Sequence, residues 1–385
     1  MSNGNMRRGR GPRFSTTQAT YPERKAAVRP SAEPELSTIP ELDNTPSIPG
    51  NDIKGNNTIA IGKDSGSDTQ GKCCVAVGFS AGTSYQGQNG VAVGLYAGKI
   101  DQGANAVSIG VQSGSKAQGC GAIAVGMYAG STSQGVYSVA IGSNTGTENQ
   151  GNRSVALGKD CGTRNQGNHS VAIGNESGMI SQSTNAVALG HSAGYDVQGE
   201  YGVAIGTESG NTMQNIGAVA IGYKAGNRKQ RKNSVAIGVS AGQLSQGAYC
   251  VAIGPGSGAS RQGSGAIAIG NACGATNQGE DSVAIGNGCE SDSTCTQKDG
   301  VISIGARSSS AGYDNTIVIG ADARATGAGE LVLGSESYPL NIIETQQGPG
   351  LAVLINGKQF TIALTKREQT LESNLLDVDD ASNNV

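Results

Sequence analysis

One glycine recurs along this chain with a fixed period, and that recurrence limits the fold more than any other feature. The motif V-A-I-G or a close variant ends at Gly62, Gly78, Gly94, Gly110, Gly126, Gly142, Gly158 and Gly174, and again at Gly190, Gly206, Gly222, Gly238, Gly254, Gly270 and Gly286. All of these are 16 residues apart. The spacing then loosens to 19, 15 and 14, giving Gly305, Gly320 and Gly334. A fixed period of this length is the mark of a stacked repeat architecture, in which each unit packs against its neighbours.

Aligning the coils on that glycine yields columns. Three residues and one residue before it stand Val, Ile or Leu, as in Val235 and Ile237. Ala lies between them in all the regular coils but one, where Ser108 replaces it. The residue four before is small (Ser, Ala, Gly or Cys) from Cys74 to Ser282. Large and small residues alternating with period two identify a strand. One face presents two aliphatics and the other presents Ser or Ala, Ala and Gly. The sequence-based expectation is that the aliphatics are sealed inside and the small face lets neighbouring chains come close.

Beyond the glycine, the third residue is again small (Ser65, Ala81, Cys161, Ala241) and the fourth is Gly in all fourteen complete coils, Gly66 to Gly274. The eighth is Gln in the same fourteen, Gln70 to Gln278, and Gly follows it except at Ser183, Asn215 and Arg231. Recurrent Gly would cost a helix interior about 1 kcal/mol per residue. The fold class is therefore all-β: a parallel β-solenoid of 16-residue coils, each with two short strands joined by two glycine-made turns. Fifteen coils at about 4.8 Å per rung would extend on the order of 70 Å. An unbroken Gln column predicts an amide ladder, each side chain bonding the next or closing a turn carbonyl; a Gln-lined binding strip is the other reading. Two aliphatics per coil cannot offset the ordering of sixteen residues, so stacking, and preferably a partner chain, must supply the rest.

Composition agrees with a thin, turn-rich roll. There are 62 Gly, no Trp and 3 Phe among 385 residues, so the bulky side chains of a globular core are scarce. No G-X-Y period exists, which excludes collagen. No run reaches the ~18 apolar residues of a membrane helix, and no membrane insertion is expected.

The NSVAIG segment (233–238), followed by small residues and Gly, resembles the head repeat of trimeric autotransporter adhesins, the YadA-like left-handed parallel β-roll. Similar repeats occur in fibres and spikes of phages and large DNA viruses. The resemblance covers about residues 55–335 and implies a homotrimer of rolls around a threefold axis. Two departures stand out: the strict 16-residue period with its Gln is longer than the common repeat, and the expected signal peptide and C-terminal anchor barrel are not seen. MSNGNMRRGRGPRF has charge but no apolar stretch after it.

The expected domains are a basic, then Pro-rich and acidic arm (1–54), the regular roll (55–290), irregular terminal coils (291–337), a β-hairpin cap (338–366) and an acidic tail (367–385). Residues 1–30 carry Arg7, Arg8, Arg10, Arg13, Arg24, Lys25 and Arg29 against Glu23 alone, a composition expected to be disordered in isolation. Such an arm fits a nucleic acid or a negatively charged capsid, tail or shell protein, or serves as a solvated tail. In LAVLINGKQFTIAL (351–364), Asn356-Gly357 between apolar runs signals a type I′ hairpin, which would cover an open solenoid end.

Nothing in the chain reads as chemistry, so no catalytic, cofactor-binding or metal residues and no cofactor are assigned, and the protein is expected not to be an enzyme. Cys161, Cys273 and Cys289 share one small-residue column and Cys74 and Cys250 another, which reads as small buried side chains. Thiols several coils apart are beyond bridging distance, while Cys289 and Cys295, where the repeat breaks, leave room for a local bridge. Otherwise the thiols are expected to be free. His169 and His191 fall at variable, turn-proximal positions and are expected at the surface. The leading function is a structural fibre or spike on a virion surface, attaching to a host receptor or glycan. The alternative is a cell-surface trimeric adhesin exported by another route. An ice-binding role would need a repeated Thr ladder, and polysaccharide cleavage would need clustered carboxylates; neither is found.

Overall fold

The computed structural model describes residues 57–290 and 296–338, together with the backbone of strands 51–52, 351–355 and 358–362. Among the described residues there is no helix. Each regular coil contributes two three-residue strands, one ending just before the repeat glycine, as in Val139–Ile141, and one ending in the Gln, as in Thr132–Gln134. The coils stack in register at 16 residues: Val139 pairs with Val155, and Gln134 with Gln150, all in parallel. A first sheet therefore runs through eighteen parallel strands from Ile59–Ile61 to Leu331–Leu333, on the order of 80 Å at about 4.8 Å per rung. A second sheet of 13 strands runs from Ser84–Gln86 to Thr276–Gln278. Asn51–Asp52, in the segment assigned to the arm, pairs antiparallel with Ala60 and Ile61 at the first rung.

The core is not where the sequence pattern placed it. The Ala of V-A-I-G is fully buried in coil after coil (Ala76, Ala92, Ala124, Ala140), as are the small residues four before and three after the glycine, such as Ser138 and Ala129. The aliphatics on either side of that Ala point outward: Ile109, Leu157 and Leu189 are each 41% exposed. The expectation of sealed aliphatics and an inter-chain small face is thus reversed. The reason is perimeter. Sixteen residues with two three-residue strands enclose a thin slot, and one buried Gln side chain per coil already fills it. A Cβ built on Gly82, in the Gly column four after the motif, would lie 2.8 Å from the Gln86 amide and 3.2 Å from the Ala76 Cβ. Nothing larger than Ala or Ser fits opposite it.

The repeat glycine itself is fixed twice over. At Gly94 φ is +130°, a region side chains avoid, and a Cβ there would sit 2.5 Å from the carbonyl oxygen of Gly110 in the next coil. Left-handed backbone also falls at non-glycine positions, at corners such as Asn89 and Asn105 and in mid-strand at Asn165. Asn tolerates that conformation best, and across adjacent rungs these corners add exposed amide bonds, Asn89 to Asn105 at 2.9 Å.

Past Gly286 the roll continues through Ile302–Ile304, Ile317–Ile319 and Leu331–Leu333 in the same register of faces. In these last coils larger apolar side chains enter the interior: Val301 and Val318 are fully buried, and Val332 packs against the cluster of Val318, Ala323 and Ala325. Strands Leu351–Ile355 and Lys358–Ile362 pair antiparallel, as the hairpin signal predicts, with the turn residues Asn356 and Gly357 outside the described residues. The arm before 51, residues 339–350 and the tail also lie outside them.

Candidate interaction surfaces

The Gln column is structural, and both bonding schemes expected of it operate together. Gln182 lies 1% exposed in the slot. Its amide nitrogen donates to the Val171 carbonyl at 2.9 Å and to the Gln198 side-chain oxygen at 3.0 Å, while its own oxygen accepts from Gln166 at 3.2 Å. The carbonyl bond repeats from Gln86–Val75 to Gln278–Ile267. The amide-to-amide bond runs in series and is interrupted at three rungs, leaving the oxygens of Gln102, Gln150 and Gln246 without a partner. Ser108, the exception in the Ala column, joins the network by donating to Gln118 at 2.7 Å and accepting from Gln102 at 3.2 Å. Because these amides are buried, they are not available as a binding strip.

Two features escaped the sequence reading. Gln297 is 2% exposed, accepts from Ser282 at 3.2 Å and donates to Val283 at 3.3 Å, so the ladder continues one coil further. It stands 11 residues after Gly286, where the column requires 8; the three extra residues of the 19-residue interval fall before it. Placing that insertion ahead of the Gln would have found it. Glu290, 4% exposed, accepts from the backbone and hydroxyl of Ser310. Burial pushes its pKa up. It stands four residues after Gly286, in the column that is Gly from Gly66 to Gly274, and keeps that column's left-handed backbone at φ +47°.

The cysteines need one correction. Cys161, Cys250 and Cys74 are buried and free, and burial pushes the Cys161 thiol up to about 12 and Cys250 to about 11. Cys273 and Cys289, however, form a disulfide, with Cα atoms 4.7 Å apart. Same-column positions in adjacent coils are one rung apart, inside the range for a bridge, and it is this pair that closes rather than Cys289 with Cys295, which lies outside the described residues. Cys73 and Cys120 are exposed and free.

His169 and His191 are both exposed, at separate turns. Among the described residues no group of three or more His, Cys, Asp or Glu side chains could hold a metal ion. No helix of the described residues is long and apolar enough to cross a membrane.

What the surface offers instead is a face. Along the first sheet, the two outward aliphatics of each strand form a continuous double row: Val155 and Leu157, Val187 and Leu189, Val235 and Ile237, and so on down eighteen strands. Phe79, Leu95, Val111 and Met127, each just after a repeat glycine, widen it at one end, with 39–48% exposure. An apolar strip of this length is far beyond the scattered exposure ordinary for a monomer. The second sheet, across the core, carries the variable polar and charged positions.

The chain is thus a slot-cored parallel β-solenoid with aliphatics on its outside. The YadA head domain repeat matches this chain in two copies, over residues 129–145 and 133–160, in the middle of the regular array. The chain carries YadA-like head repeats folded as a parallel roll of ~16-residue coils. Rolls of this type are typical of structural adhesin proteins rather than enzymes, are surface-exposed, and are in general homotrimeric. No curated protein and no solved structure matches the chain.

Proposed function

We propose that this chain is the shaft or head of a homotrimeric fibre or spike on a virion surface, and that it serves in host attachment. The observation that carries the reading is the double row of Val, Ile and Leu on the outside of the first sheet. Other copies of this chain are its natural occupant, because three identical rolls present the same row in the same 4.8 Å register and can bury it rung against rung. The second sheet then faces outward and supplies the contact surface for a receptor or glycan. The basic arm (1–54) fits a tether to a capsid, tail or shell protein, and the hairpin at 351–362 fits a cap over an open end of the roll. Antibodies to the roll, applied to intact particles from the source and imaged by electron microscopy, test the placement. Regular decoration of virions is the expected result. Labelling confined to a cell surface would replace the virion with a cellular adhesin, and labelling of neither would end the surface reading.

A further inference from the structure

The charge along the roll is uneven in a way the overall −3 hides. Between Glu208 and Glu280 the sequence has no Asp or Glu, yet it carries Lys224, Arg228, Lys229, Arg231, Lys232 and Arg261. Lys224 is paired with Glu208 at 3.6 Å. The other five are exposed, and among the described residues none lies within salt-bridge distance of a carboxylate. Arg228 and Lys229 stand on a strand of the second sheet, away from the aliphatic row, and Arg231 and Lys232 on the turn that follows. Arg261 occupies the same column as Lys229 two rungs on. Lys229, Arg231 and Arg261 line a depression of about 300 Å³ over Gly247 and Gly263, together with Ser245, Ser264 and one carboxylate, Glu280.

Arg231 stands where the fold favours glycine. In the position after the Gln, a Cβ built on Gly199 or Gly247 would approach the backbone of the next coil to 2.5 or 2.7 Å. The backbone nitrogen there donates to the next Gln carbonyl at 2.7 Å from Gly199 and 2.9 Å from Gly247, but at 3.2 Å from Arg231. A cation is held here against the local packing preference, which is the pattern of a residue kept for contact rather than for the fold.

We propose that Arg228, Lys229, Arg231, Lys232 and Arg261 bind a sulfated polysaccharide. A linear chain of repeated sulfates suits a row of cations lying across one rung and continuing two rungs on, because each guanidinium or ammonium meets a separate anionic group. Nucleic acid is a poorer fit: the two tyrosines of the cluster, Tyr223 and Tyr249, already have the Lys224 and Lys232 ammonium groups over their rings at 5.1 and 5.2 Å, where base stacking would need a bare platform. The inference rests on the attachment reading for its biological setting, since a surface-displayed roll meets sulfated glycans first.

Immobilised heparin, fully desulfated heparin, duplex DNA and phosphatidylserine vesicles are the probes, with the full chain and with K229S/R231G/R261S. Because residues 1–30 add seven cations, both are also prepared with Arg7, Arg8, Arg10 and Arg13 replaced by Ser. Arg231→Gly restores the column's own residue, so folding should be retained, as circular dichroism will check. The expected result is that, in both backgrounds, the triple variant loses at least about tenfold in heparin affinity at physiological salt. Its plot of log K against log salt should be shallower by roughly two, at about 0.7–0.9 per cation removed. Unchanged binding by the triple variant, equal binding of desulfated heparin, or tighter binding of DNA or vesicles would overturn the proposal. Heparin binding that depends on the cluster, with host attachment unaffected by its loss, would instead count against the attachment reading.

Discussion

Replacing Gln182 by Leu probes the interior of the roll with little change in volume. The substitution removes bonds to Val171 at 2.9 Å, Gln198 at 3.0 Å and Ala186 at 3.4 Å, and the bond received from Gln166 at 3.2 Å. The amide's two hydrogens serve those three acceptors, so the loss is about three full bonds, or about 3 kcal/mol at about 1 kcal/mol each. Burying the Leu returns about 1.5–2 kcal/mol, leaving a net local loss of about 1–1.5 kcal/mol. A repeat array does not unfold in one step, so the informative assay is native-state hydrogen exchange read coil by coil. Amides from about Gln166 to Gln198 should exchange on the order of 5–12-fold faster, since 1.4 kcal/mol is tenfold, while coils before Gly110 keep their protection. Ser181→Ala, at the neighbouring outward position, should change little. Unaltered protection around Gln182, or an equal loss throughout the roll, would refute the view that each amide secures its own rungs.

Val197 is β-branched and held at φ +55° in the middle of a second-sheet strand, where Asn165 serves two coils earlier; Val197→Asn should raise the local opening free energy by about 1 kcal/mol, measured by the same exchange, and a decrease would contradict the assigned strain. Alkylation at pH 8 should label exposed Cys73 and Cys120 quickly and Cys161 and Cys250 only on unfolding. Those two buried thiols ionise at about 12 and about 11 in the fold against an ordinary 9.0, so their contribution is fully present below 9.0 and is lost as pH rises through those values. Melts between pH 8 and 11 should show the decline, and Cys161→Ala should flatten it; a stability that climbs over this range would contradict the sign.

Period, strand positions and the Gln ladder were legible because each is written as a column, and columns survive any choice of facing. Facing itself was misread. Alternation in S-V-A-I-G says only that two faces differ, and the habit of placing aliphatics inside fails when the Gln side chains already fill the slot and leave room for little beyond Ala, Ser or Cys beside them. The tell was present: through the regular coils Ala between the aliphatics varies only to Ser108, whereas Val, Ile and Leu interchange at the flanking positions, as outward positions can. The Cys273–Cys289 bridge was missed by reasoning about distant coils instead of adjacent ones. Glu290 was visible as the exception to the column running from Gly66 to Gly274, but its partner Ser310 lies in a coil of irregular length and could not be read from the columns. Arg231 was visible as an exception to the Gly column, but its meaning needed the neighbouring coil's backbone.

The central claim is that the outward aliphatic row is where copies of this chain meet. Sedimentation equilibrium of the full chain, beside a variant with Leu157, Leu189 and Ile237 replaced by Asp, tests it directly. These side chains are 41, 41 and 36% exposed, so the roll itself should tolerate the change. The account predicts a mass of three times 38.5 kDa for the unaltered protein and 38.5 kDa for the variant, with the β spectrum of both the same. A lone 38.5 kDa species for the unaltered chain, or a variant that still assembles in threes, would contradict it.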